Sequence, residues 1–221
     1  MKKLDKIQKD EYNELKKQFE AATNIQCMIR AMLSLERLWQ PFLRCTKHLG
    51  QASQQMARDY MDGAWQRILS NHTDQEQENR FRELLEDLDQ KFVEAEETME
   101  SAEVSRCECR EESYLYDALF SGFAWFFKPG KEAVPDRRPD LVYSPLDLIS
   151  DRIIDTYCTR DEAQEAENYV QSPYRKAEWD RIEADHLLTE HYSLDQPQDI
   201  LRLKETYQKL WIVPRDQEQE V

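Results

Sequence analysis

Two groups of residues in this 221-residue chain have the types and spacing to do chemistry. The first is Glu183 and His186, a Glu-x-x-His unit of the kind that supplies half of a di-iron carboxylate site on bundle helices. The other half would be a second such unit, and the chain contains none. His186 also shares a helical face with Trp179 and Ile182, so it is expected to rest satisfied against the core, and no metal is assigned. His191, at the end of the same helical pattern, reads as a partner for the negative C-terminal end of that helix. Cys107 and Cys109 form only a Cys-x-Cys, and neither GxSxG nor HExxH occurs. The sequence therefore gives no catalytic residue, no cofactor site and no metal site, and an enzyme is not expected.

The second group is acidic. Asp147, Asp151 and Asp155 recur every four residues and line one stripe of a helix, with Leu146, Ile149, Ile153 and Tyr157 on the roughly opposite core face. Like charges at that spacing repel by roughly 0.2–0.5 kcal/mol per pair. The stripe reads either as a solvated face or as a surface that binds lysine and arginine. The segment from Asp74 to Asp117 repeats the theme with sixteen acids against five arginines or lysines. Glu108, Glu111, Glu112 and, at the end of the breaker segment, Asp140 join the candidate acidic surface. Tyr114, Tyr116 and Tyr143 stand at its borders, as aromatic anchors for a partner or as ordinary core tyrosines.

The elements that would position these groups are helices. Leu4, Ile7, Tyr12, Leu15 and Phe19 predict an amphipathic first helix. Thr23 or Asn24 can cap a second, which Pro41 is expected to kink or split and Gly50 to stop. Met56, Tyr60, Ala64 and Ile68 mark one face of a third, and Thr73 with Glu76 caps a fourth that carries Phe81, Leu84, Leu85, Leu88 and Phe92. Ser113 to Phe127 is apolar almost all round, as a central helix enclosed by others must be. A Pro-rich loop follows near 128–144, after which Ser144 and Pro145 read as N-cap and first helical residue of a helix through Cys158. Thr159 with Glu162, and Ser172 with Pro173, announce two more helices; a last one enters near Pro197, and 214–221 reads as a polar tail. No strand pattern and no phosphate-binding glycine loop is present. The expected architecture is all-α: one compact domain over 1–221, with roughly seven to eight helices around a central apolar helix.

Composition narrows the partners. A chain of this length can bury roughly 70–75% of its unfolded surface, and five tryptophans and ten tyrosines argue against disorder despite 34% charged residues. A net charge of −15 disfavours nucleic acid and anionic membranes and favours a basic protein. The lysine-rich opening lacks the apolar stretch of a signal peptide, and five cysteines without zinc-type pairing fit reduced thiols, so a cytoplasmic location is expected.

The segment "AMLSLERLWQPFLRCTKHLG" followed by "DYMDGAWQRIL" resembles the opening of the YjaG-like helical bacterial family and related immunity proteins of polymorphic toxin systems. Ser34, Glu36, Arg37, Pro41 and Trp65 carry that likeness. "SPLDLISDRIIDTYC" resembles the family's Asp-bearing helix, and "SPYRKAEWDRIEADHLL" the helix after it, with Pro173 and Glu178 in the corresponding places. The resemblance spans roughly residues 25 to 210, the acidic run and the Pro-rich loop having no counterpart in it. It implies an all-α fold without catalysis and, for the immunity members, tight stoichiometric binding of a cognate toxin domain. Joined to the negative charge, this leads to an expected function as an immunity protein for a basic toxin domain. A nuclease is one such kind, since it needs a cationic surface to hold phosphates. The alternatives are a non-catalytic helical adaptor with a housekeeping partner and, more remotely, a bundle metalloenzyme around Glu183 and His186.

Overall fold

The first helix, α1 (Lys3–Ala21), buries Leu4, Leu15 and Phe19 along the expected face, with Ile7 and Tyr12 packed beside them. The computed structural model describes residues 3–70, 138–157, 161–191 and 197–213, with isolated helical positions between 76 and 90. Among the described residues there are seven α-helices, one 3-10 turn and no strand, and they pack into a compact all-α domain. None of these helices is long and apolar enough to cross a membrane.

Helix α2 (Asn24–Cys45) starts at a capping box: the Thr23 hydroxyl accepts from the Gln26 backbone N–H, and the Gln26 side chain accepts from the Thr23 N–H at 2.7 Å. Pro41 does not split it. Leu38, Trp39 and Phe42 are all buried around the proline, and their packing outweighs the roughly 3 kcal/mol that an interior proline costs. Nor does Gly50 stop it, because the helix ends at Cys45 and a 3-10 turn, Thr46–Leu49, intervenes. Gly50 instead opens α3 (Gly50–Ser70) at φ +78°, a left-handed backbone that only glycine adopts without strain. Tyr60, Ala64 and Ile68 are buried on the face expected, together with Met61 and Trp65.

Helix α4 (Arg138–Tyr157) corrects the sequence reading. It begins six residues before the Ser144 that imitates an N-cap, so 138–144 is helix and not loop. The Ser144 hydroxyl donates back to the Asp140 carbonyl at 2.9 Å, and Pro145 lies inside the helix. Asp161, not a Thr159–Glu162 box, caps α5 (Glu162–Gln171), its side chain accepting from the Ala163 N–H at 2.8 Å. Ser172 and Pro173 start α6 (Pro173–Glu190) as expected, and α7 (Gln198–Tyr207) follows Pro197. Helix α2 is central among the described helices, packing on α3, α4, α6 and α7, while α1 lies across α4 and α5. The fourth helix's apolar face, the Ser113–Phe127 helix, the loop up to 137 and the tail 214–221 lie outside the described residues.

Candidate functional site

Helix α4 presents the acidic stripe, but not as a freely solvated face. Leu141, Val142, Leu146, Leu148, Ile149, Ser150, Arg152 and Ile153 are all buried, so neighbours enclose the helix on most sides. Asp147 and Asp151 are consequently half-buried, while Asp140 is exposed and accepts a hydrogen bond from the Tyr12 hydroxyl. The backbone of Asp155 continues the stripe; its side chain, with Glu108, Glu111, Glu112, Tyr114 and Tyr116, lies outside the described residues.

Asp147 is the unusual member. Burial, followed by the negative charges of Asp151, Asp140 and Glu11, pushes its carboxyl up to about 7. Among the described residues every charged group acting on it is an acid, and it makes no hydrogen bond or ion pair with any of them. Nearby Glu11 is satisfied on both oxygens. The hydroxyls of Tyr143 and Tyr169 donate to Oε2 at 2.9 and 2.8 Å, and the Arg175 guanidinium donates to Oε1 through Nε, at 2.9 Å, and through a terminal nitrogen. Tyr143 is thus a core residue, 4% exposed, and not a surface anchor; its ring meets Tyr12 edge-on at 5.8 Å. Burial, then the neighbouring Tyr169 and Glu11, drives its hydroxyl far above the usual tyrosine range. A protonated phenol donating to a carboxylate is the stable arrangement there.

A second polar centre lies between α2, α3, α6 and α7. Arg37, 0% exposed, donates to Glu178 and to Asp185 at 2.5 Å each and to the Ser34 hydroxyl at 2.8 Å, with its guanidinium over the Tyr207 ring at 4.8 Å. Burial alone would pull this arginine's pKa down, but Glu178 and Asp185 more than offset that and hold it above the ordinary value. Burial raises Glu178 in turn, a cost that Arg37 and Arg181 offset only in part. Tyr207 on α7 donates to the other Asp185 oxygen at 2.8 Å. On the α3 side, Glu36 accepts two hydrogen bonds from Arg58, at 2.7 and 2.8 Å, and one from the Trp65 indole at 2.7 Å. Asp62 bridges Arg58 and Lys204, at 2.8 and 2.6 Å. The Arg37 network is buried, the Glu36–Arg58–Asp62 network runs from it toward the surface, and together they specify how four helices meet.

The Glu183–His186 unit holds no ligand set. Glu183 accepts from Gln18 at 2.9 Å, and His186 is half-buried, not a core residue, between Arg30 and Glu190. Among the described residues, no three His, Cys, Asp or Glu side chains gather closely enough to hold a metal ion. His191 is the C-cap residue of α6 and is exposed.

Compared with protein-family models, curated proteins and solved structures, the chain matches none. Of the residues quoted for the resemblance, Ser34, Glu36, Arg37, Trp65 and Glu178 belong to these networks, while Pro41 and Pro173 do not. Arg30, Glu11, Tyr169, Arg175 and Asp185 were not singled out from the sequence. The available signal was Arg30, Ser34 and Arg37 at i, i+4 and i+7, a polar line in a stretch, Cys27 to Leu38, whose other residues are apolar except Glu36.

Proposed function

We propose that this chain is an immunity protein that binds and neutralises a basic toxin domain, with lysine and arginine side chains of that domain received along the α4 stripe. The observation that supports this reading is Asp147, a half-buried carboxylate surrounded by Asp140, Asp151 and Glu11 and answered by no cation among the described residues. An acid kept in such a place works against the stability of the free chain, and a cation from a partner would remove the penalty. The overall charge of −15 would speed the encounter with a basic protein, while packed contacts would set the lifetime of the complex. A nuclease domain, cationic because it holds phosphates, suits such an inhibitor. The resemblance to helical immunity proteins points the same way.

The test is affinity capture of the tagged chain from lysate of its own host, at low and high salt, followed by assay of what is held. One stoichiometric basic toxin domain, retained through the salt wash and inhibited when the chain is added back, is expected. A diverse, salt-labile set of basic proteins would remove the immunity reading in favour of a helical adaptor.

A further inference from the structure

A pocket of about 310 Å³ opens where the C-terminal ends of α1 and α6 meet the start of α2, and Gln18, Gln26, His186, Thr189, Glu190 and His191 form its polar wall. Behind that wall lies Arg30, 0% exposed, with the Phe19 ring over its guanidinium at 4.4 Å. One terminal nitrogen of Arg30 donates to Gln18 Oε1 at 2.6 Å, the other lies 3.4 Å from His186 Nδ1, and Nε has no partner. Among the described residues no carboxylate comes within ion-pairing distance of it, in contrast to Arg37, which has two. A buried cation without a paired anion is costly, and burial lowers Arg30 to about 10 despite the opposing influence of Cys27, Asp185 and Glu183.

The hydrogen-bond pattern fixes what the pocket offers. Arginine can only donate, so in this contact His186 Nδ1 is the acceptor, and Nε2 is left as the ring's donor. A cation donating into one edge of an imidazole strengthens the N–H on the other edge as a donor. Nε2 lies 3.5 Å from Glu190 Oε1, on a side chain that is 49% exposed. A loosely held carboxylate of the chain itself thus stands near this donor of the pocket.

We propose that this pocket binds a small organic or inorganic oxyanion, one oxygen of which replaces Glu190 on His186 Nε2 while Arg30 compensates its charge from behind the wall. The volume is at the lower end of the range for small-molecule sites. The site is independent of the α4 stripe, whose chemistry calls for cations.

Isothermal titration calorimetry of the whole chain with succinate and, separately, with inorganic phosphate tests this, chloride holding the ionic strength constant. Saturable binding of either is expected, with succinate alone marking a carboxylate site and phosphate alone a phosphate site. Glu190→Gln removes the competing carboxylate and should tighten binding about two- to fivefold, the strength of an exposed ion pair. His186→Phe should abolish it; that change also takes one acceptor from buried Arg30, whereas Glu190→Gln leaves both partners of Arg30 in place and reads the anion site alone. In the unsubstituted chain, the His186 ring signals should shift with the same saturation in NMR spectra. Binding of neither anion, or a Glu190→Gln variant that binds more weakly than the parent, would overturn the proposal.

Discussion

Replacing Asp147 by asparagine removes one charge from the α4 stripe with almost no change of shape, and its effect depends on pH in a way that can be worked out. Burial and the acids Asp151, Asp140 and Glu11 lift this carboxyl from an ordinary 3.8 to about 7 in the folded chain. The folded state therefore holds the proton more tightly than the unfolded one. Its contribution is harmless below the unfolded value and becomes a penalty as pH rises from there through 7. At 1.36 kcal/mol for each tenfold change in proton affinity, the penalty reaches about 4 kcal/mol at pH 8, as an upper value, and about 0.6 kcal/mol at pH 4. An uncharged amide in the same place carries no such penalty. Asp147→Asn should therefore stabilise the chain by about 2–4 kcal/mol at pH 8 and by less than about 1 kcal/mol at pH 4. For a chain of this size the gain at pH 8 corresponds to a rise in Tm of about 4–16 °C. Urea unfolding of both proteins at pH 4, 6 and 8, with the difference taken at each pH, isolates this group from all others that titrate. Equal stability of the two at pH 8, or a gain that does not grow with pH, would refute the reasoning.

Arg37→Met leaves Glu178 and Asp185 buried and without their guanidinium, and should cost about 3–5 kcal/mol in urea unfolding. Apolar replacement of all three together should recover much of that loss. Tyr143→Phe and Tyr169→Phe each remove one donor from Glu11 and should cost about 1–3 kcal/mol; the double variant, which strips Oε2 of both, should lose more than the sum. Tyr207→Phe cuts a tie between α7 and Asp185, and hydrogen exchange over Gln198–Tyr207 should quicken while that of α2 does not.

Amphipathic spacing made α1 and α3 legible, and local capping chemistry did the same for the starts of α2 and α6. Those features depend on a few neighbouring residues. The start of α4 was misplaced because Ser144–Pro145 has the chemistry of a cap, while the real entry at Arg138–Pro139–Asp140 places a proline and an acid in the first turn with equal right. Helical periodicity gave the Asp147–Asp151 stripe but not its burial, since one helix's sequence does not say how many neighbours close around it. The Arg37 network joins residues 141 and 148 positions apart in the chain, and nothing in a single sequence pairs them across that distance. Tyr143 was ambiguous for the same reason: its partner Glu11 lies 132 positions away.

The claim that the α4 carboxylates receive a basic protein is tested most directly by an Asp140→Asn, Asp147→Asn, Asp151→Asn triple variant. Its association rate with the basic domain captured from the host is compared with that of the parent chain, at low and at high salt. At low salt the variant should associate about tenfold more slowly or worse, and the gap should close as salt rises, while its folding stability at pH 8 is no lower than the parent's. Equal rates for the two proteins at low salt would contradict the account and leave the stripe without a part in partner binding.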